Sequence, residues 1–245
     1  MRILLLALLL ASVAFSRPMP AYEEAQIAYF SFNSCDARDD SGQGSFGILE
    51  GNVRCWCGVE DEGLLFDGET AYLTFQGLVN NYFSTSDFTI SFYFKPEMRS
   101  AFPISLLSKR GDCGEDFLLD ILLDYSRQEI TTLVQQSEHR YYGNLSPEPR
   151  EGGWQHFALV REGTRARTYV NGIPQRESFR CSGVDISNET PLSFGNSPCV
   201  QTGRARRFRG VLDELRVFDR ALTDEEILDL YRRHPIENAQ MDCYS

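Results

Sequence analysis

The stretch that decides the fold is Phe208–Tyr231, FRGVLDELRVFDRALTDEEILDLY, near the C-terminal end of a 245-residue chain. From residue 211 to residue 218 its side chains alternate with the period of a β-strand. One face of this strand therefore carries Val211, Asp213, Leu215 and Val217. Because that face is otherwise apolar, we expect the carboxylate of Asp213 to point toward the interior of the protein.

A short helix is predicted directly after this strand. Thr223 and Glu226 have the spacing of a capping box, and Leu222 and Ile227 have the spacing of a hydrophobic staple. Acidic residues occupy the first turn, arginines occupy the last turn, and Pro235 ends the helix. So short a helix is not stable alone. Its apolar residues must cover a larger body, so we predict that it seals a β domain.

The first sixteen residues have the features of a secretory signal peptide: Arg2, an apolar run and a cleavage site with small residues, Ala14-Phe15-Ser16. The run is too short to span a bilayer, and no transmembrane segment is predicted elsewhere. We expect a secreted or extracellular protein, or one in a bacterial periplasm or on a cell surface. The predicted organisation is a signal peptide (1–16), a linker (17–26), one domain (27–235) and a C-terminal tail (236–245).

The composition is that of a globular domain, with 42% hydrophobic and 24% charged residues. Cleavage of the signal peptide removes one positive charge, that of Arg2, and takes the formal net charge from -11 to -12. This charge disfavours nucleic acid as a partner. One basic cluster stands out, Arg204, Arg206, Arg207 and Arg209. We interpret it as a solvated loop, with binding of an acidic polysaccharide as the alternative.

Seven cysteines behind a signal peptide predict disulfides formed in an oxidising compartment. The candidates are Cys35, Cys55, Cys57, Cys113, Cys181 and Cys199. Cys35 is expected to pair with Cys55 or Cys57, because either bond would close a long turn-rich loop. Cys243 is predicted to be the odd thiol. A zinc site is disfavoured because the Cys-Trp-Cys spacing does not suit it.

Many other segments alternate like strands and are separated by turn residues. Asp67-Gly68 is predicted to be the turn of a hairpin whose second arm holds Tyr72, and Asn171-Gly172 has the signature of a type I′ hairpin. The predicted strands are 27–32, 64–66, 88–95, 104–109, 117–125, 130–135, 154–161, 165–170, 173–177, 192–194 and 211–218. We therefore predict an all-β sandwich of two antiparallel sheets with almost no helix before Thr223.

Five of these segments resemble, in order, the laminin G-like, concanavalin A-like jelly-roll family, particularly its secreted members. They are YFSFNSCDARDDSGQGSFGILEG, GLLFDGETAYLTF, FTISFYFKPE, WQHFALVREGTRARTYVNG and the stretch quoted first. The likeness spans Tyr29 to Tyr231 and is specific for fold rather than function. The CWC motif and Cys243 are not general to the family.

The resemblance also implies a possible structural calcium ion. Relatives often bind calcium with the aspartate of the final strand, here Asp213, together with main-chain oxygens near Phe32 or Asn33 and at Gly68. Calcium prefers such oxygen ligands and tolerates irregular geometry. The alternative is that Asp213 accepts hydrogen bonds from loop amides without a metal, and the sequence leaves both possibilities open.

No catalytic residues are predicted. The E-x-D-x-x-E array by which some relatives cleave glycosides is missing from the sequence. Asp116, Asp120 and Asp124 could line a groove on one strand face, although we expect exposed, solubilising charge. His156 could be named as a general base, but a histidine in a packed strand with no partner nucleophile is expected to be structural.

The expected function is therefore a secreted, non-catalytic binding module for a glycan or for an extracellular-matrix or cell-surface protein. A polysaccharide hydrolase or lyase is one alternative, and a structural adhesion or assembly domain is another. Asn144 and Asn188 lie in N-x-S/T sequons, which are glycosylation acceptors in a eukaryote. Asn144 precedes a proline-containing segment and is expected at the surface.

Overall fold

Sixteen β-strands form two antiparallel sheets that pack face to face in the computed structural model, which describes residues 20–114, 116–147, 152–179, 183–239 and 243. The strands are β1 (Gln26–Phe30), β2 (Ser45–Glu50), β3 (Arg54–Cys57), β4 (Glu62–Asp67), β5 (Tyr72–Gly77), β6 (Phe88–Pro96), β7 (Ile104–Lys109), β8 (Leu118–Asp124), β9 (Glu129–Ser137), β10 (Arg140–Pro147), β11 (Gln155–Glu162), β12 (Arg165–Val170), β13 (Ile173–Pro174), β14 (Glu177–Phe179), β15 (Ser193–Phe194) and β16 (Arg209–Phe218). The described helices are α1 (Pro198–Gln201) and α2 (Asp224–Arg233), with 3-10 turns at Ala21–Ala25, Leu78–Tyr82 and Ile236–Asn238. The predicted all-β sandwich with a short C-terminal helix is confirmed.

The two sheets differ in what lies on their outer faces. The first, which we name the covered sheet, has the order β13-β12-β11-β6-β16-β4-β3, with β1 also paired to β16. The second, which we name the open sheet, has the order β14-β10-β9-β8-β7-β15-β5-β2. Between them lies the main core, rich in phenylalanine. Phe66 and Phe92 lie 5.4 and 5.9 Å from Phe194, measured between ring centroids, so aromatic rings bridge the two sheets.

Helix α2 packs on the outer face of the covered sheet. The capping box at its start is present: the Thr223 side chain accepts from the Glu226 amide, and the Glu226 side chain accepts from the Thr223 amide. Ile227 and Leu230 are buried against strand residues that include Phe218. The prediction that the helix seals the domain is therefore confirmed.

Both segments that flank the domain also pack on this face, which corrects two boundaries. Residues 21–25 form a 3-10 turn whose Tyr22 is buried against Phe218, with ring centroids 6.1 Å apart, so this part of the predicted linker belongs to the domain. Ile236 packs against the cluster that contains Trp154 and Val211. The predicted tail is therefore also part of the fold where it is described, whereas the predicted signal peptide lies outside the described residues.

A third correction concerns the turn at Asp67-Gly68. The turn exists, and the Asp67 carboxylate accepts hydrogen bonds from three following amides, with Ala71 the last at 2.9 Å. These bonds hold the pKa of Asp67 well below its usual value, against the effect of burial, which raises it. However, β4 and β5 lie in different sheets, so the turn carries the chain across the sandwich and is not a hairpin. The hairpin predicted at Asn171-Gly172 does join β12 to β13.

Three disulfides link six of the seven cysteines. They are Cys35–Cys55, Cys57–Cys243 and Cys113–Cys199. The pair Cys35–Cys55 is as predicted. The prediction that Cys243 is the odd thiol is wrong, since it pairs with Cys57. The remaining cysteine, Cys181, lies outside the described residues. No helix in the described part of the chain is long and apolar enough to cross a membrane.

Candidate functional site

A groove of about 400 Å³ lies on the outer face of the open sheet. Its floor consists of side chains that β8, β9 and β10 direct away from the core. Strand alternation explains this, because the intervening residues Leu119 and Ile121 of β8 are buried in the main core. The floor contains Leu118, Leu122, Leu133, Gln135 and Tyr141.

One wall of the groove comes from a distant part of the chain. The wall contains Cys113, Cys199, Arg204 and Ala205. The disulfide Cys113–Cys199 fixes α1 to the loop that follows β7. The amide of Arg206 donates to the carbonyl of Pro103 at 2.8 Å, so the segment after α1 is held beside the start of β7. The shape of the groove therefore depends on contacts between residues almost a hundred positions apart.

A buried ion pair lies at the base of the groove. Asp120 on β8 is 1% exposed, and Oδ2 of its carboxylate accepts a hydrogen bond from Nη1 of Arg110. The same guanidinium donates through Nε to the carbonyl of Asp112 at 2.8 Å and through Nη2 to the carbonyl of Gly114. Burial raises the pKa of Asp120, and the Arg110 charge opposes that rise. The pair thereby braces the loop that carries Cys113.

Buried polar groups lie beneath this face of the open sheet. Ser108 hydrogen-bonds to the carboxylate of Asp120 and so acts to lower its pKa, whereas the hydroxyl oxygen of Ser105 has no hydrogen-bond partner among the described residues. Strand register places Ser108 opposite Asp120 and Ser105 opposite Leu122, so all of these atoms share the groove side of the sheet. A buried polar atom that lacks a partner costs of order 1–3 kcal/mol. The groove therefore has a largely apolar floor above a layer of buried polar groups.

The three aspartates predicted as exposed charge have different environments. Asp120 lies in the groove, whereas Asp124 is buried at the end of β8, where its carboxylate accepts from the Ser126 amide at 3.0 Å. Asp116 lines a separate depression together with Asp112 and Asn188. Their assignment to a strand face is correct for Asp120 and Asp124. The expectation of solvated charge is wrong for those two residues, because each has hydrogen-bond partners that allow it to be buried.

Asp213 is buried, but on the other side of the covered sheet from the one predicted. A β-bulge shifts the register between Asp213 and Arg216, and Glu214 within it has a φ of 51°. Leu215 and Val217 therefore face the main core, whereas Val211 and Asp213 face outward beneath a loop. The alternation predicted for this strand is thus broken in its middle.

The carboxylate of Asp213 is occupied by backbone amides. Oδ2 accepts from the amides of Val59 at 2.7 Å and Glu60 at 3.2 Å, and Oδ1 accepts from the amide of Glu214 at 2.8 Å. Burial raises the pKa of Asp213 well above its usual value, the Glu214 charge adds to the rise, and the amides oppose it. The hydrogen bonds from loop amides named above as the alternative are therefore present.

The other residues named for calcium do not converge on Asp213. Gly68 packs against Arg209, which is four residues away from Asp213 on β16, or about 13 Å along a strand. Gly68 therefore lies too far from Asp213 to share an ion with it. Phe32 is buried in the main core, and the side chain of Asn33 lies 3.2 Å from the carbonyl oxygen of Glu60. Calcium binding stays a prediction of the resemblance, and we derive no function from it.

His156 on β11 is buried and contacts other residues of the fold. Its Nε2 lies 2.8 Å from Oγ of Ser91, and its ring lies 4.7 Å from that of Tyr93 and 5.8 Å from that of Tyr231, between centroids. Burial lowers the pKa of His156 to about 3. It is located on the covered sheet, away from the groove, as expected of a structural histidine.

The two sequons also differ from each other. Asn144 on β10 is 1% exposed, and its Nδ2 donates to the carbonyl of Ala166 at 2.9 Å. The expectation that Asn144 lies at the surface is therefore wrong. Asn188 is partly exposed, and its Nδ2 donates to the carbonyl of Phe117 at 2.8 Å.

The chain belongs to the concanavalin A-like lectin/glucanases superfamily, because the Laminin_G_3 family matches residues 67–228. A search of curated proteins found no match. Among solved structures, domain 4 of AbnA, a GH43 extracellular arabinanase from Geobacillus stearothermophilus in complex with arabinotriose, has a TM-score of 0.67 and 18% identity. That match covers 84% of this chain and 98% of the domain.

Toxin domains share the same architecture. The binding domain of Paraclostridial Mosquitocidal Protein 1 has a TM-score of 0.70 at 17% identity over 86% of this chain. The receptor binding domain of a botulinum neurotoxin C/D mosaic serotype has a TM-score of 0.68 at 14% identity over 86% of this chain. This chain spans about half of each toxin domain, 53% and 52% respectively. At such identities these likenesses show the fold alone.

Proposed function

We propose that this protein is a secreted, non-catalytic module that binds a carbohydrate in the groove on the open sheet. The observation that supports this function best is the groove itself. It is a depression on the outer face of the open sheet, and its lining combines apolar side chains with polar ones from Gln135, Tyr141 and Arg204. The arabinanase domain, whose structure contains arabinotriose, provides a carbohydrate-associated example of the same fold.

The composition of the groove suits the chemistry of a sugar. A pyranose or furanose ring presents apolar C–H surfaces and a rim of hydroxyl groups. Leu122, Leu133 and Tyr141 supply apolar and aromatic surface, and Gln135 supplies an amide that can both donate and accept hydrogen bonds. A few fixed polar groups in an apolar site are the usual means of specificity.

The carboxylates of the groove are poorly placed for hydrolysis. Asp120 is buried and ion-paired with Arg110, and the second acid, Glu138, lies beyond the end of β9. Asp120 is paired with Leu133, and five residues of strand separate Leu133 from Glu138, which corresponds to about 16 Å. Paired carboxylates that cleave glycosides lie about 5–9.5 Å apart. We therefore assign no catalytic role to them.

A glycan array on the disulfide-bonded mature domain, with and without chelator, tests this function. We expect hits that persist in chelator, and titration of a hit against Tyr141→Ala should show at least a tenfold loss of affinity, about 1.4 kcal/mol. Ile173→Ala is the matched control, since Ile173 is 63% exposed at the edge of the covered sheet. No glycan hits, equal loss in both variants, or release of reducing ends from a hit would overturn the proposal.

A further inference from the structure

The basic cluster of residues 204–209 concentrates four arginines in six positions, and none of them has a carboxylate partner among the described residues. Among the described residues, several arginines of this acidic chain have a carboxylate within 4.0 Å, as Arg110, Arg165, Arg167, Arg216, Arg220 and Arg233 show. Within that part of the chain, Arg204, Arg206 and Arg207 form no ion pair. Positive charge therefore collects beside the groove in a chain whose formal net charge is -11.

Aromatic rings hold two of these guanidinium groups in place. The Arg206 guanidinium lies 4.1 Å from the ring centroid of Phe102, and that of Arg207 lies 4.7 Å from the ring centroid of Tyr72. Stacking on a ring restricts an arginine side chain. Nη1 of Arg206 donates to the carbonyls of Gly203 and Ala205, each at 3.1 Å, so its other N–H groups are the ones that can donate to a ligand. Nη1 of Arg207 is buried, whereas Arg204 is exposed and lines the groove. Arg204 is therefore the arginine best placed to donate to an anionic acceptor in the groove.

The three arginines extend the groove across the open sheet. Arg204 lines the groove itself, whereas Arg207 stacks on Tyr72 of β5. The order β8-β7-β15-β5 separates Asp120 from Tyr72 by three strand spacings, roughly 14 Å at about 4.8 Å each. A ligand that contacts both ends is longer than one sugar ring. We name Arg204, Arg206 and Arg207 the arginine ridge.

We propose that the arginine ridge recognises the carboxylate or sulfate groups of an acidic polysaccharide, one part of which occupies the groove. This inference rests on the proposed function and specifies its ligand class. It also revises our interpretation of the cluster as a solvated loop, because stacked and unpaired guanidinium groups differ from freely solvated ones. A bidentate hydrogen bond from arginine matches the geometry of both anions.

Two acids also line the groove, and they affect the ligand differently. Asp120 is neutralised by Arg110, but Glu138 is exposed, and its one ion-pair partner among the described residues is His139, at 3.1 Å. An anionic ligand would be repelled by Glu138. The substitution Glu138→Gln should therefore strengthen binding of an acidic polysaccharide, which is opposite in sign to the loss of an arginine.

The test uses two pairs of polysaccharides that differ only in charge. Polygalacturonate is compared with highly methyl-esterified pectin, and dextran sulfate is compared with dextran, by affinity electrophoresis or calorimetry. We expect at least one acidic member to bind tenfold or more tightly than its neutral counterpart, and the pair that responds distinguishes carboxylate from sulfate. For three charge contacts, the slope of log K against log salt should be about -2.

The triple variant Arg204→Gln, Arg206→Gln, Arg207→Gln should abolish this preference. A matched control replaces three arginines of the covered sheet and its helix, Arg54→Gln, Arg165→Gln and Arg232→Gln, and changes the net charge equally. Melting curves verify folding, and Glu138→Gln provides a gain of binding that a misfolded variant could not produce.

Equal binding of acidic and neutral members, or equal loss in both triple variants, would overturn the proposal. Failure of the groove alone would appear differently, as a Tyr141→Ala variant that binds all four polymers like the wild type.

Discussion

Cys57 and Cys243 form a disulfide across 186 residues of sequence, which fixes the last described residue of the chain to β3. We expect this bond to stabilise the fold more than Cys35–Cys55, which spans 20 residues. The loop-entropy relation gives about 5 kcal/mol for the long loop and about 3 kcal/mol for the short one. Urea unfolding of the two double Cys→Ser variants measures both. A larger loss from the short loop would contradict the prediction.

Alkylation should find a single free thiol. Since three disulfides use six of the seven cysteines, only Cys181 is left to react when the protein is unfolded without reductant. Peptide mapping by mass spectrometry would identify the labelled residue. Label at Cys57 or Cys243 would mean that the long-range bond does not form.

His156 should make the protein less stable in acid. Its pKa is lowered to about 3 by burial, against about 6.5 in the unfolded chain. The stability that the neutral form provides is complete above pH 6.5 and is lost as the pH falls toward 3. At pH 5 this residue should cost about 2 kcal/mol relative to pH 7.

The measurement for this prediction is the free energy of unfolding as a function of pH. His156→Gln should remove that part of the acid dependence, whereas His139→Gln, whose side chain is 85% exposed in the wild type, should leave the curve unchanged. Parallel curves for the wild type and His156→Gln would exclude burial of the neutral ring.

Asp213→Asn should destabilise the protein, because the amide of asparagine would point a donor at amides that now donate to the carboxylate. We expect a loss of about 2–3 kcal/mol. Excess chelator should leave the melting temperature of the wild type unchanged, since both carboxylate oxygens are hydrogen-bonded. A lower melting temperature in chelator, with calcium found by elemental analysis, would establish the calcium alternative. Asp36→Asn, at an exposed position, is the control.

Asn144 should carry no glycan in a folded, secreted product of a eukaryotic host, because its side chain is enclosed and donates to the carbonyl of Ala166. Asn144→Gln should leave the electrophoretic mobility unchanged and lower the melting temperature through overpacking. A mobility shift on glycosidase treatment that Asn144→Gln abolishes would disprove the buried position.

The sandwich could be predicted from sequence because its signals are local. Alternation along 88–95 and 211–218, the capping box at Thr223 and the Asn171-Gly172 turn each depend on neighbouring residues. The same alternation predicted the wrong side of the sheet for Asp213, because a bulge lies at Asp213–Glu214. One extra residue reverses the face of every later side chain, and no glycine or proline marks the position.

The groove could not be predicted, because distant segments form it. The alternation of side chains along a strand correctly predicted that Asp120 and Asp124 share a face. The burial of Asp120, however, depends on Arg110. Arg110 in turn is positioned by carbonyls of the loop that the Cys113–Cys199 bond holds. Charge pattern alone likewise could not distinguish an arginine stacked on Phe102 from one in solvent.

The segments nearest both ends of the described chain pack on the covered sheet, one through Tyr22 and the other through Ile236 and Cys243. A tether attached at either end therefore leaves from the side opposite the groove. Immobilised on a surface, or joined to a neighbouring domain, the molecule would point its open face outward, toward a polymer arriving from solution.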